Sequence, residues 1–145
     1  MDALDEAVRL RRGRRSDLPR VRALLPAPPG GRRERFDRRT FASLAGDVYI
    51  AEDARGAIVG VVSVAYLRSV TAGRPAAVLD AARALGDSGP VLDTLIAFAE
   101  TRARRRGCTR LAVWIDPGDA ALHAALAVRG YRVDTLLVAE LGDVA

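Results

Sequence analysis

The sequence predicts a single mixed α/β domain over residues 1–145, in which helices pack against a central sheet. Three observations predict it. The chain has 145 residues, half of them hydrophobic, which is enough for one core without disulfides or metals. The predicted elements follow in the order β-α-α-β-β-β-α-β-α-β. Consecutive strands in the middle favour antiparallel pairing, whereas the later strand–helix–strand passage favours a parallel pair.

The first elements are a strand and two helices. Residues 7–13 alternate as a strand does, and residues 16–25 open with a Ser-Asp cap and continue with apolar residues at helical spacing. A Pro- and Gly-rich loop over 26–31 precedes a second helix, predicted over 32–47.

Three strands come next. Residues 48–53 and 57–67 flank a tight Asp-Ala-Arg-Gly turn and predict a β-hairpin. Residues 75–82 predict a further strand.

The second half begins with the clearest helix, over 90–106. Its apolar face is formed by Leu92, Leu95, Ala99 and Ala103. Arginines in its last turn and Gly107 predict its end. A buried strand over 109–115, a turn and helix over 116–130 and a last strand over 131–141 complete the chain.

Composition excludes several classes of protein. No apolar run approaches the roughly 18–20 residues of a membrane span, and the acidic first residues do not resemble a secretory signal. Cys108 is the single cysteine, so no internal disulfide and no metal site is expected. The sequence predicts a soluble cytoplasmic protein that does not bind a membrane.

The positive charge is concentrated near the N-terminus. All 23 basic residues are arginine; residues 1–39 hold 12 of them and six acids, whereas the rest of the chain holds 11 and 12 acids. Such a region could attract RNA or nucleotide phosphates. We favour the alternative, in which these arginines only form a solvated surface. Nucleic acid is therefore the weaker expectation for a partner.

Four stretches resemble the GCN5-related N-acetyltransferase superfamily, and together they span almost the whole chain. They are the opening strand and helix (8–25), the hairpin (48–64), the Arg-Gly-Cys turn with its flanks (100–116), and the closing helix with its Gly-Tyr exit (119–133). The resemblance implies a mixed, largely antiparallel sheet with splayed fourth and fifth strands, about four flanking helices, and acetyl-CoA as co-substrate.

In that superfamily a loop with the pattern Arg/Gln-x-x-Gly-x-Gly/Ala holds the pyrophosphate of acetyl-CoA, because glycines admit the oxygens and the helix dipole favours the charge. Placing Gly89 on its last glycine puts Asp87 at the middle glycine and Ala84 at the basic position. The implied cofactor-binding residues are Val78, Leu79 and Asp80 for the pantetheine, and Arg83, Gly86, Asp87, Ser88, Gly89 and Pro90 for the pyrophosphate.

Two interpretations of this loop stay open. Asp87 would repel a phosphate and could itself accept the free N–H groups, as a capping acid does, and Pro90 removes one donor. The segment is therefore either an atypical but working phosphate loop or a self-capped turn.

The catalytic residues are not predicted by the resemblance. Where the superfamily often has an acidic tyrosine, this chain has Leu126, and Asp119 replaces an asparagine at the start of the closing helix. His123, one turn before Leu126, is a weak candidate for proton transfer; a surface histidine is the alternative. Glu52 and Asp53 are candidate bases or simply turn residues.

Three functions follow. The first is transfer of an acetyl or other acyl group from acyl-CoA to a primary amine by direct attack in a ternary complex. The alternative is a non-catalytic binding or regulatory protein of the same fold. The third is recognition of RNA or aminoacyl-tRNA. A small-molecule or peptide amine is the expected acceptor, and the last strand offers an edge for a homodimer.

Overall fold

The computed structural model describes residues 8–25, 46–68 and 73–142. Five strands form one sheet in the order β1-β2-β3-β4-β5. They are β1 (Arg9–Arg12), β2 (Asp47–Glu52), β3 (Ile58–Leu67), β4 (Ala76–Ala84) and β5 (Leu111–Val113). The α-helices are α1 (Leu18–Val21), α2 (Gly89–Arg105) and α3 (Ala120–Val128), with 3-10 turns at Arg15–Asp17 and Leu85–Asp87. Neighbouring strands are antiparallel except for β4 and β5, which are parallel. The mixed α/β class is confirmed.

The predicted hairpin is the β2–β3 pair. One oxygen of Asp53 accepts the backbone N–H groups of Arg55 and Ala57, each at 2.9 Å. Gly56 adopts a φ of +79°, which other residues rarely take. The turn is therefore fixed by its own residues.

The main core lies between α2 and the sheet. Leu95, Ile96 and Ala99 of α2 have no exposed surface. Gly60 of β3 lies beneath the helix, and a Cβ atom there would stand 2.9 Å from Cγ1 of Val91. Glycine thus lets α2 approach the sheet closely.

A second, smaller core covers the other face. It is formed by Val21, Val48, Ile50 and Val61. The helix predicted over 16–25 is shorter in the structure, one turn of α1 followed by turns.

A buried carboxylate ties the C-terminal end of α2 to the sheet. Asp47 has no exposed surface and accepts hydrogen bonds from Arg12 (2.9 Å), Arg102 (3.2 Å), Arg106 (3.1 Å) and the Tyr66 hydroxyl (2.6 Å). Although burial alone would raise the pKa of Asp47, these donors hold it far below its usual range. Arg102 and Arg106, at the end of α2, therefore pair with Asp47, besides complementing the helix dipole.

Three predicted elements need comment. The second predicted helix falls at 32–45 outside the described residues, and Asp47, its predicted end, begins β2. The buried strand predicted over 109–115 is only β5, and Trp114 is 59% exposed. The last strand predicted over 131–141 is wrong, since residues 131–142 form neither helix nor strand. A strand needs a partner for its backbone groups, and none of the described strands pairs with this segment.

No helix in the described ranges is long and apolar enough to cross a membrane.

Candidate functional site

The end of the β4–β5 ladder defines the candidate site. The parallel pairing covers Ala77 to Leu79 of β4, and its last bond runs from the Trp114 N–H to the Leu79 carbonyl at 3.1 Å. β4 continues for five more residues, and no strand in the described part of the chain pairs with it on that side. The pairing of the two strands thus ends at Leu79, in the region where the resemblance implies that they splay.

A β-bulge in β4 lies at this point. Ser63 and Val64 of β3 pair with Ala81 and Leu79, so Asp80 is the extra residue. Leu79 and Ala82, three residues apart, consequently both face the main core. Bulges often lie beside binding sites, where they re-aim side chains.

Asp80 has an unusual environment for an acid. Its side chain keeps contact with solvent, yet the surrounding protein raises its pKa by desolvation, against the lowering effect of a hydrogen bond with Ser63. A carboxylate with a raised pKa is better suited to accept a proton near neutral pH.

Beyond β4, the chain turns sharply before α2. Gly86 and Asp87 both have positive φ, +61° and +54°. The turn is exposed, and a Cβ atom added at Gly86 or Gly89 would meet nothing within 4 Å. The predicted phosphate loop is therefore an open turn at the start of a 17-residue helix.

Ser88, not Asp87, caps α2. The Ser88 hydroxyl accepts the Val91 N–H at 3.4 Å, and its carbonyl accepts the Leu92 N–H at 3.0 Å. The Asp87 carboxylate has no hydrogen-bond partner among the described residues, so the segment caps the helix through Ser88 and not through Asp87. The Gly89 N–H likewise has no acceptor in these ranges, and the long Val91 bond leaves a second donor weakly held.

An ion pair joins β4 to the residue that caps the start of α3. A guanidinium nitrogen of Arg83 in β4 lies 3.5 Å from a carboxylate oxygen of Asp119. The other oxygen of Asp119 caps α3 by accepting the Leu122 N–H at 3.2 Å. Arg83 is thus committed to Asp119, and binding of a phosphate would have to compete with that pair.

The remaining predicted site residues are not brought to one place by side-chain contacts. Val78 and Leu79 are buried, and their backbone lies within the β4–β5 ladder. Leu126 fills the core at 6% exposure, whereas His123 is exposed on α3 and has no side-chain partner in the described part. The structure gives His123 no contact that would orient it for proton transfer.

Trp114 is a candidate that sequence reasoning missed. It lies where the strands part, 59% exposed, next to its bond with Leu79. The signal was present: Leu111, Val113 and Ile115 pack on the core, so alternation places Trp114 on the opposite face. An exposed tryptophan offers a flat apolar surface for a ligand.

The described part of the basic N-terminal region is largely paired internally. Arg11 bonds Asp17 at 2.8 Å and also Glu52, while Arg20 bonds Asp17 at 3.1 Å. Arg11 lowers the pKa of Glu52, which argues against Glu52 as a base. No cluster of metal-ligating side chains occurs within the described ranges.

Solved structures share this fold. A transcriptional regulator from Bacillus halodurans matches with a TM-score of 0.77 at 17% identity, over 92% of this chain and 99% of that one. An aminoglycoside 6′-N-acetyltransferase from Acinetobacter baumannii matches with 0.75 at 15%, over 96% and 100%. An aminoglycoside N-acetyltransferase in complex with CoA matches with 0.76 at 15%, over 98% and 99%.

The chain therefore has the fold of the GCN5-related N-acetyltransferases, as the resemblance predicts. At these identities the likeness concerns the fold, because one fold serves several functions. The sequence matches no protein-family model and no curated protein sequence.

Proposed function

We propose that the protein is an acyltransferase that moves an acetyl or other acyl group from acyl-CoA to a primary amine. The proposal rests mainly on the open turn at the start of α2, which follows the part of β4 that no longer pairs with β5. An anion at a helix N-terminus is stabilised by free N–H groups and the helix dipole. The shared fold with a solved acetyltransferase–CoA complex supports the proposal.

The described residues would hold such a co-substrate in two places. The Gly89 and Val91 N–H groups would receive the pyrophosphate, in the open space around Gly86 and Gly89. The unpaired edge of β4 beyond Leu79 would hold the pantetheine amides. Acetyl-CoA would supply a thioester carbonyl that an amine attacks directly.

The chain's own part in that reaction is binding, orientation and removal of a proton. Asp80, first residue beyond the ladder, would accept the proton that the amine loses, since its pKa is raised. Trp114 would cover one side of the opening. The amide forms as the carbon–sulfur bond breaks, and the thiolate leaves with a proton from solvent, because Leu126 offers none.

Calorimetry with acetyl-CoA tests binding, and two substitutions at one position sharpen it. Gly89→Ala measures the effect of restricting the backbone, whereas Gly89→Leu also fills the space that the ligand needs. We expect Gly89→Leu to weaken binding about tenfold more than Gly89→Ala, with both variants folded. Absence of binding at millimolar acetyl-CoA would overturn the proposal.

Asp87→Asn tests the charge in the loop. Asparagine tolerates a positive φ, so the turn should persist while a repulsive charge is lost. We expect acetyl-CoA to bind about two- to fivefold more tightly, given about 0.3–1 kcal/mol for a charge near a helix terminus. Glu140→Gln, with the same change of net charge on an exposed residue, is the control and should leave the affinity unchanged.

A non-catalytic member of the fold is the second candidate. Two observations favour it: Leu126 is buried where the superfamily often has an acidic tyrosine, and Arg83 is engaged with Asp119. The structural match to a transcriptional regulator is compatible with it. Binding of acetyl-CoA without acyl transfer to any of a panel of primary amines would favour this candidate over the enzyme.

A further inference from the structure

Three arginines share one carboxylate where the C-terminal end of α2 meets the sheet. Nitrogen atoms of Arg12, Arg102 and Arg106 lie 2.9, 3.2 and 3.1 Å from the same atom, Oδ1 of Asp47. These arginines form ion pairs with no other carboxylate of the described residues. The four residues, which we name the arginine cluster, therefore hold three positive charges against one negative charge.

Aromatic rings hold the three guanidinium groups in place. Cζ of Arg12 and Cζ of Arg102 lie 5.1 and 5.7 Å from the centre of the Tyr49 ring, and Cζ of Arg106 lies 4.5 Å from the centre of the Tyr66 ring. A cation over an aromatic face is attracted by the ring. The arginines are consequently positioned before any ligand arrives, which lowers the entropy that binding costs.

The exposed part of the arginine cluster consists of arginine and not of carboxylate. Asp47 has no exposed surface, whereas the side chains of Arg12, Arg102 and Arg106 are 35, 24 and 34% exposed. A guanidinium group has five N–H donors, and among the described residues Arg106 donates a side-chain hydrogen bond only to Asp47. Solvent therefore meets positive charge and spare donors at this place.

A phosphate group suits this surplus charge. Guanidinium groups bind phosphate through parallel N–H···O bonds, and arginines that surround one atom can bridge a single phosphate. The three cations repel one another at this distance, and Asp47 balances one of their charges. A phosphate group with about two negative charges at neutral pH would balance the rest.

Further arginines extend the positive charge at this end of the sheet. Arg68 directly follows β3 and Arg74 precedes β4, and both are exposed. Because β3 and β4 are antiparallel, the end of one and the start of the other lie at the same end of the sheet. Arg105, also exposed, is the last residue of α2. A ligand with several phosphates would thus find additional cations beside the arginine cluster.

We propose that the arginine cluster is a binding site for a phosphate group of a ligand that carries several phosphates. The ligand is a free polyphosphate compound or the backbone of a nucleic acid, since both present the same group. The site is separate from the proposed acyl-CoA site at the start of α2. This helix has 17 residues, so its two ends are about 25 Å apart.

Calorimetry with inorganic phosphate, at constant ionic strength, tests the proposal on the full chain. Arg106→Gln should weaken binding about tenfold, because a charged donor is lost. The variant should fold, since Arg12 and Arg102 still pair with Asp47. Arg104→Gln is the control: it removes the same charge two residues away, on the other side of α2, and should change the affinity less than about twofold.

A second measurement uses the counter-ion itself. Asp47→Asn leaves the arginines without a counter-charge, so phosphate should bind this variant more tightly than the wild-type protein. Phosphate should therefore raise its stability to urea more than that of the wild-type protein. Asp93→Asn, with the same change of charge on an exposed residue, should respond to phosphate as the wild-type protein does.

Gly89→Leu separates this site from the acyl-CoA turn. It should weaken acetyl-CoA binding, as expected above, and leave phosphate binding at the arginine cluster unchanged. If Gly89→Leu abolishes phosphate binding and Arg106→Gln does not, the phosphate lies at the start of α2 and the proposal is wrong.

Tripolyphosphate and an RNA oligonucleotide of mixed sequence distinguish the two sources of phosphate. Both should bind, more tightly than inorganic phosphate and more weakly to Arg106→Gln, if the ligand is a nucleic acid backbone. Binding of tripolyphosphate alone would support a free polyphosphate compound. Absence of phosphate and tripolyphosphate binding at millimolar concentration, or equal losses in Arg106→Gln and Arg104→Gln, would overturn the proposal.

Discussion

Replacing Asp47 by asparagine tests how the sheet holds α2. The substitution keeps the size of the side chain but removes a buried negative charge. Arg12, Arg102 and Arg106 would then face one another without a counter-ion, and the amide NH₂ group would point its donors at other donors. We therefore expect a loss of stability far beyond that of an ordinary polar substitution.

The size of that loss follows from the geometry. Breaking a buried ion pair by removing one partner costs about 3–5 kcal/mol. Asp47 is fully buried, but the arginine side chains are 24–35% exposed and water can still solvate them. The lower end applies, so Asp47→Asn should reduce the free energy of unfolding by about 3 kcal/mol.

The dependence on pH gives a second, independent check. The pKa of Asp47 is lowered by folding from its ordinary value of 3.8, so its stabilising effect is complete above that value and is lost as the pH falls towards the folded pKa. The difference in stability between wild type and Asp47→Asn should be constant above about pH 5 and shrink below about pH 4.

Urea unfolding followed by circular dichroism, from pH 7 to pH 2, measures both quantities. Asp93→Asn is the control, because Asp93 is 59% exposed and lies 4.0 Å from Arg129; it should cost less than about 1 kcal/mol. A loss below about 1 kcal/mol for Asp47→Asn, or a difference that does not change with pH, would refute this account of the cluster.

Three further results are expected. Gly60→Ala should lower the free energy of unfolding by about 1–3 kcal/mol, since its Cβ would stand 2.9 Å from Val91, whereas Gly118→Ala, 3.5 Å from its nearest neighbour, should be close to neutral in the same urea assay. Gly86→Ala should cost about 1–2 kcal/mol because of the positive φ, and Gly86→Asn should cost less; equal losses would contradict the backbone explanation. Burial and Glu100 raise the pKa of Tyr131 to about 12, so Tyr131→Phe should remove a phenol that ionises near pH 12 in an ultraviolet titration.

The residues of the candidate site were predicted from the resemblance, and the start of α2 also from local signals. The Gly-Pro start of α2 and the turn before it were placed by capping and turn chemistry, which act over a few residues. The role of Asp87 was not settled this way, because Ser88 is an equally good cap and competes for the same N–H groups. The choice depends on backbone angles: the positive φ of Asp87 leaves the helix start to Ser88.

Other parts of the site depended on contacts far apart in the sequence. The bulge at Asp80 exists only when β4 is aligned with β3, and the Arg83–Asp119 pair joins residues 36 positions apart. No local pattern specifies such partners. Trp114 was assigned to a buried strand because its neighbours are apolar, although its exposure depends on where β5 ends.

By itself, the sequence determined the class of fold, the hairpin, the long helix and the succession of the first five strands along the chain. Hydrophobic periodicity, caps and glycine turns specify such elements, since each depends on neighbours within one or two turns. The tertiary structure decided which elements find partners. It buried Asp47 among arginines from β1 and α2, and it left residues 131–141 without the ladder that their strand-like sequence requires. A strand pairs only with a strand that lies beside its edge, and which strands lie side by side is decided when the whole chain has folded.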